Sequence, residues 1–306
     1  MESHALPPRY HDDVEFVSNV IALERIGLRR SSCGASHMGV AAAVAALCAR
    51  ADWYGFNAEW CARLTQPERE TIGVLRALRH LRELRGEMAV ACRRDGQPQR
   101  YTLFLTVDTL LSVHAALMEH IDTARPGVLR GALENVAPLG DDGAIDNEHA
   151  YVRGEDVNVR LAACIDAYNE RVYAASDADA FDAAVVAQWA ARLLSQFLIV
   201  HPFHDGNGRM GHLLLVHAFA LVQRRQQHDA PGRSYNLNLN HTLYRTAALN
   251  RTVHIPHRLR RAYIAALVAC QTHLTAAAAA DTDMAAAAAG AEDAALAQLV
   301  ALFTWH

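Results

Sequence analysis

The sequence predicts an all-α fold, and three observations carry that prediction. Apolar side chains recur at helical spacing in stretch after stretch, alanine is used very heavily, and the irregular composition is confined to a few glycine- and proline-bearing breaks. The largest of those breaks, 127 to 153, reads as a loop or short β-hairpin lying as a flap over something.

Taken in order, residues 13 to 30 place Val14, Val17, Ile21 and Leu28 on one stripe, with acidic residues at the start and arginines at the end, which suits a helix dipole. Residues 36 to 51 are alanine-rich. Residues 66 to 90 carry leucine at 75, 78, 81 and 84 among many charges, the stripe of an amphipathic helix with a core or partner-facing role. Arg94-Asp95-Gly96-Gln97-Pro98 breaks the pattern. Leu103 to Met118 reads as a core helix, and Arg125-Pro126-Gly127 closes the short segment after it. Helical periods return at 157 to 174 and 180 to 200, the latter stopping at His201-Pro202. Further helices are expected at 211 to 227 and, after a polar connection, at 241 to 274. The expected organisation is an N-terminal helical region over 1–100, a main domain over 101–274 and an alanine-rich tail over 275–306 that buries little.

Composition narrows the function classes. About half of the 306 residues are apolar, enough for a sizeable core, and a formal net charge of -4 gives no pull toward nucleic acid or anionic lipid. Neither nucleic acid nor membrane is an expected partner. Every cation is arginine, so no single arginine is singled out by type. Cys33, Cys48, Cys61, Cys92, Cys164 and Cys270 form no C-x-x-C pair and read as buried free thiols of a reducing compartment. The N-terminus has no basic stretch leading into an apolar one, so the expected location is the bacterial cytoplasm or, since an injected effector looks the same, a host cell.

Chemistry concentrates in His201-Pro202-Phe203-His204-Asp205-Gly206-Asn207-Gly208-Arg209. Gly206 and Gly208 let main-chain N–H groups approach a ligand closely, and the start of the next helix favours a phosphate. Asp205 is a hard oxygen ligand suited to Mg²⁺, and Arg209 can clamp two phosphate oxygens. His201 has the titration range of a base that takes a proton from an attacking hydroxyl, although a histidine after an apolar helix on its own is more often packed or capping.

This nine-residue run resembles the signature of the Fic family, H-P-F-x-[D/E]-G-N-G-R-x-x-R. A chance match to its fixed positions is roughly one in a hundred million. LTVDTLLSVHAALM with RPGVLRGALENV resembles the helix and flap that precede the signature, and Tyr151-Val152, Val157, Leu161 and Tyr168-Asn169 resemble the next helix. The resemblance implies an all-helical Fic-type bundle that uses ATP and Mg²⁺ to transfer AMP onto a protein hydroxyl. His201 would be the base, Asp205 the Mg²⁺ ligand, Asn207 and Arg209 phosphate ligands, Gly206 and Gly208 the anion cradle, and Phe203 the anchor of the loop. Tyr244 and Asn250 fall where the family lines its adenine pocket, with ordinary core and surface roles as the alternative; His114 matches a structural position. The partners implied are the nucleotide, a target protein held along the flap and, as a further option, a second copy of the chain.

Two departures from the pattern coincide. His212 stands where the family has its second arginine, which meets the γ-phosphate of ATP. Ser18-Asn19-Val20-Ile21-Ala22-Leu23 resembles the family's inhibitory motif, yet Ala22 replaces its glutamate. Glu24 comes two residues late, about 200° round a helix, so the expectation is an N-terminal helix that only packs and a site that stays open. Three readings fit these residues: an uninhibited nucleotidyltransferase, which is favoured; a transferase using another diphosphate-containing donor; and a nucleotide- or partner-binding protein without catalysis.

Overall fold

The computed structural model describes residues 8–26, 37–94, 104–121, 125–131, 151–175, 183–228, 255, 257–279 and 293–303. Among them the chain runs through α1 (Pro8–Leu23), α2 (His37–Tyr54), α3 (Ala58–Ala62), α4 (Gln66–Arg94), α5 (Val107–Met118), α6 (Val157–Ala174), α7 (Ala183–Val200), α8 (Asn207–His228) and α9 (Arg260–Ala279), with a last helix at 293–300. The all-α expectation agrees with this architecture. Most of the expected flap over 127 to 153 falls on 132–150, outside the described residues; at its described start, Leu129 forms an antiparallel bridge with Phe203.

Local chemistry sets the helix starts. Thr106 caps α5 by accepting from the Thr109 amide at 3.0 Å. Glu68 reaches back over the start of α4, accepting from the Thr65 amide at 2.8 Å and from Thr65 Oγ at 2.8 Å. The end of α1 differs from expectation. The helix stops at Leu23, and the Ile26 amide reaches back to the Ile21 carbonyl at 3.0 Å with Arg25 at φ 54°, the geometry of a left-handed helix close. Arg260 of α9 completes that close, its Nε donating to the Leu23 carbonyl at 2.8 Å.

The core is built around α7 and α8, which pack along each other, with α6 and α9 against α7. α7 is long and apolar enough to cross a membrane, yet half of it is buried inside this fold. Buried Leu194, Phe197, Leu213, Leu214 and Phe219 join the two helices, and a methyl group on Gly211 would meet Leu194 Cδ1 at 2.6 Å, so the glycine sets how closely they approach. α4 and α5 form a second tight pair. Gly73 of α4 lies against the Leu117 carbonyl with no room for a side chain, Arg76 Nε donates to the Ala116 carbonyl at 3.1 Å, and His80 Nε2 is 2.6 Å from Ser112 Oγ. α1 and α2 sit on α4, where buried Asp13 pairs with Arg82 at 2.5 Å and Asp52 with Arg79 at 2.5 Å. The N-terminal helices are thereby joined to the rest through charge pairs, one of them on buried Asp13, as well as apolar contact. The described cysteines Cys48, Cys61, Cys164 and Cys270 are buried and form no disulfide, as the sequence suggests.

Candidate functional site

α7 ends in an apolar face that carries the chain to Val200; His201 then turns it with a left-handed backbone, φ 48°, while its amide still bonds the Phe197 carbonyl at 2.9 Å. A non-glycine residue there stores strain of about 1 to 3 kcal/mol and persists only where its surroundings hold it. Arg130 supplies that hold. Its buried guanidinium donates to the carbonyls of His201 at 2.6 Å, Val200 at 3.0 Å and Val152 at 2.7 Å, and its amide donates to Pro202 O at 2.8 Å. One side chain thus satisfies the last carbonyl of α7 and the one that follows it.

Phe203 is fully buried and lies flat on His114, ring centroids 3.7 Å apart. His114 Nδ1 accepts from the Gly127 amide at 3.0 Å, which assigns the proton to Nε2, the atom that donates to the Asp205 carbonyl at 3.0 Å. The ring therefore has to be neutral, and burial holds its pKa down at about 4. Asn207 also belongs to this frame. Its amide oxygen accepts from Phe203 N at 3.0 Å and its amide nitrogen donates to Phe203 O at 2.8 Å, so both polar ends brace the loop. That geometry differs from the free phosphate ligand the resemblance implies. Gly206 takes φ 82°, and a methyl group there would meet Met118 Sδ at 3.0 Å.

α8 begins at Asn207, four residues before the expected start, because the Met210 amide already bonds the Gly206 carbonyl at 2.9 Å. Gly208, Arg209 and His212 consequently lie on its first turns. Asp205 is half exposed, with a carboxylate that accepts from Gly206 N at 2.6 Å and pairs with Arg209 Nη2 at 3.0 Å. Arg209 is buried. Glu70 of α4 approaches its Nη1 at 3.7 Å, and that nitrogen makes no hydrogen bond.

The first turn of α8 also corrects the expectation of an open site. Glu24 Oε1 is 3.4 Å from Nε2 of His212, and Glu24 Oε2 occupies the space a side chain on Gly208 would take. On a helix continuing to residue 30, Glu24 would be committed to one flank. Because α1 closes at Leu23, Glu24 sits at the helix end and is free of that commitment. His212 is only 2% exposed, its Nε2 has no hydrogen-bond partner, and its ring faces Tyr263 of α9 at 5.9 Å.

His201 is set apart electrostatically. Burial first, then the Arg130 guanidinium, push its pKa down to about 4, against smaller opposing effects of the Leu198 main chain and Asp205. Its Nδ1 is buried with no hydrogen-bond partner, and the Tyr151 ring lies on its face at 3.8 Å. The imidazole is accordingly neutral at pH 7 and able to accept a proton.

The structure brings His201, Phe203, Asp205, Gly206, Asn207, Gly208, Arg209 and His212 into one place; Tyr244 and Asn250 lie outside the described residues. It adds Arg130, Tyr151, Glu24 and Glu70, none of which carries a local sequence signal for this role. Three buried polar atoms without hydrogen bonds, His201 Nδ1, Arg209 Nη1 and His212 Nε2, belong to the loop and the first turns of α8. No group of three metal-ligating side chains occurs among the described residues. Asp205, exposed and anionic, still fits Mg²⁺, which takes one or two protein carboxylates and fills its remaining positions with phosphate oxygens and water.

Residues 104–219 match the family model described as Fic/DOC. A Fic domain containing signaling protein from Bacteroides thetaiotaomicron is similar in fold, with TM-score 0.57 at 16% identity over 96% of this chain and 84% of that one. A Fic-1 fragment from C. elegans aligns with TM-score 0.49 at 17% identity over 94% of this chain and 62% of the fragment. No curated protein matches by sequence.

Proposed function

From the match of residues 104–219 to the Fic/DOC family model, we propose that this chain transfers AMP from ATP to a hydroxyl of a target protein held along the flap. The observation that carries the reading is the pairing, across one short loop, of a half-buried neutral imidazole with the amide-rich start of a helix bearing a buried arginine. A neutral base removes a proton from an acceptor, and helix-start amides with a guanidinium receive phosphate.

In this mechanism His201 takes the hydroxyl proton as the acceptor oxygen attacks the α-phosphorus of ATP. The bond to the β-phosphate oxygen breaks, and pyrophosphate leaves. Asp205 would hold Mg²⁺, which supplies positive charge to the phosphate oxygens when bound. Arg209 orients the donor phosphates, and the amides of Gly206 and Gly208 complete the cradle. His114, Phe203 and Asn207 hold the loop in shape. Glu24 lies where the donor's phosphates would enter, so we read the described state as closed and donor binding as requiring that carboxylate to turn aside.

One observation favours a second reading. With Glu24 against it, His212 offers a terminal phosphate no permanent cation, which suits a donor whose diphosphate is capped by another group. Purified protein and its Glu24→Ala variant, incubated with Mg²⁺ and each nucleoside triphosphate or CDP-choline, separate the readings by intact mass of lysate targets. An AMP adduct from ATP is expected. Adducts only from CDP-choline favour the second reading, and no adduct from any donor with either protein overturns both.

A further inference from the structure

A histidine base is ordinarily oriented through its other ring nitrogen, which donates to a carboxylate or a main-chain carbonyl and so fixes both tautomer and ring plane. In His201 that device is incomplete: Nδ1 is buried without a well-formed hydrogen bond, although the Leu198 main chain favours the protonated ring. Its backbone is fixed by Arg130, but backbone contacts leave rotation about the Cβ–Cγ bond open.

Tyr151 closes that freedom. Its ring lies on the imidazole with centroids 3.8 Å apart and planes 17° apart, so any rotation of His201 about Cβ–Cγ drives the imidazole edge into the phenol ring. The tyrosine is itself located from both sides of the next residue. The Val152 amide bonds the Ile199 carbonyl of α7 at 3.3 Å, and the Val152 carbonyl accepts from Arg130 Nη2 at 2.7 Å. Since Arg130 Nε also holds the His201 carbonyl at 2.6 Å, one guanidinium spans the two short segments that carry the stacked rings. Their separation is therefore built into the main chain.

Face stacking blocks one side of the imidazole and leaves its edge, where the nitrogen lone pair lies, open to an acceptor hydroxyl. We propose that Tyr151 is the positioning residue of the base, acting through its ring face to fix the plane in which His201 accepts the proton; this rests on the transferase reading above. The phenolic oxygen has no part in that role, so an unsubstituted ring serves as well.

The test uses the full chain with Tyr151→Ala and Tyr151→Phe, measuring transfer kinetics with ATP and Mg²⁺ and the His201 imidazole titration by NMR. For Tyr151→Ala, kcat should fall about 10- to 100-fold through lost orientation while the nucleotide KM changes less than about threefold. The His201 titration should move up from about 4 toward the ordinary 6.5 as water reaches the freed face. Tyr151→Phe should restore most of kcat and the low titration. Parental kcat in Tyr151→Ala, a loss confined to KM, or a Phe variant as impaired as the Ala variant would overturn the assignment. Should the parent transfer nothing from any donor, the transferase reading fails separately. The NMR arm then decides the stack: an unshifted His201 in Tyr151→Ala overturns it, and an upward shift reversed by Phe supports it.

Discussion

The two ends of the loop from His201 to Arg209 are satisfied in opposite ways. At the His201 end, main-chain groups are closed by Arg130, the ring is covered by Tyr151, and the group is neutral. At the Arg209 end, the first turns of α8 are met by carboxylates, Asp205 from the loop and Glu24 and Glu70 from the N-terminal helical region. The contact with Glu70 at 3.7 Å and that with His212 at 3.4 Å are both too long to be good hydrogen bonds. The first end keeps one geometry; the second holds Arg209 with anions that a phosphate can displace.

The sharpest way to break this contrast is His201→Ala. Loss of a base should slow transfer by about 10² to 10⁴, with nucleotide affinity nearly unchanged because the base acts in the transition state. Transfer at the parental rate would remove the chemical meaning of the rigid end. Next in size, Glu24→Ala should tighten triphosphate binding roughly tenfold, a change of about 1.4 kcal/mol, by clearing an anion from the cradle. Isothermal titration reads it directly, and unchanged affinity would mean that the carboxylate does not stand in the donor's path. Adding a carboxylate at Ala22 should do little by comparison, since Glu24 already holds the place at His212.

A further test concerns acid. His114 and His201 both titrate near 4 in the fold, below the 6.5 of an unfolded chain. Between these values the unfolded chain binds more protons, so stability is lost as pH falls from 6.5 to 4 and levels off below about 4. Calorimetric Tm measured across that range should fall, and His114→Gln should flatten part of the slope. A Tm independent of pH over this interval would contradict the assignment of two neutral rings.

What is legible in the sequence is local. Apolar periodicity locates α4 to α7 because packing and propensity agree there, and the loop announces itself because its residue types have few other uses in that order. The boundary of α1 escapes such reasoning, because a left-handed close on Arg25 needs no glycine signal, and with it goes the position of Glu24. Asn207 reads as a ligand because an amide beside glycines fits phosphate equally well; only the two bonds to Phe203 reveal the brace. Arg130, Tyr151 and Glu70 are invisible for a different reason. Each reaches the loop from a distant part of the chain, and no spacing in the sequence encodes such a contact.

The tight seat of Gly73 against Leu117 carries a consequence for timing. With backbone wedged on backbone, Arg76 bonded to Ala116 and His80 beside Ser112, α4 cannot swing away from α5 without local unfolding. Glu70 rides on α4 and Glu24 on a helix end tethered by Arg260, so either carboxylate vacates the cradle by side-chain rotation alone. Rotamer hops take picoseconds to nanoseconds, whereas hinge motions take microseconds or longer. Donor entry is then gated by electrostatic competition and not by a waiting step, and association should follow a single exponential whose rate rises linearly with nucleotide concentration.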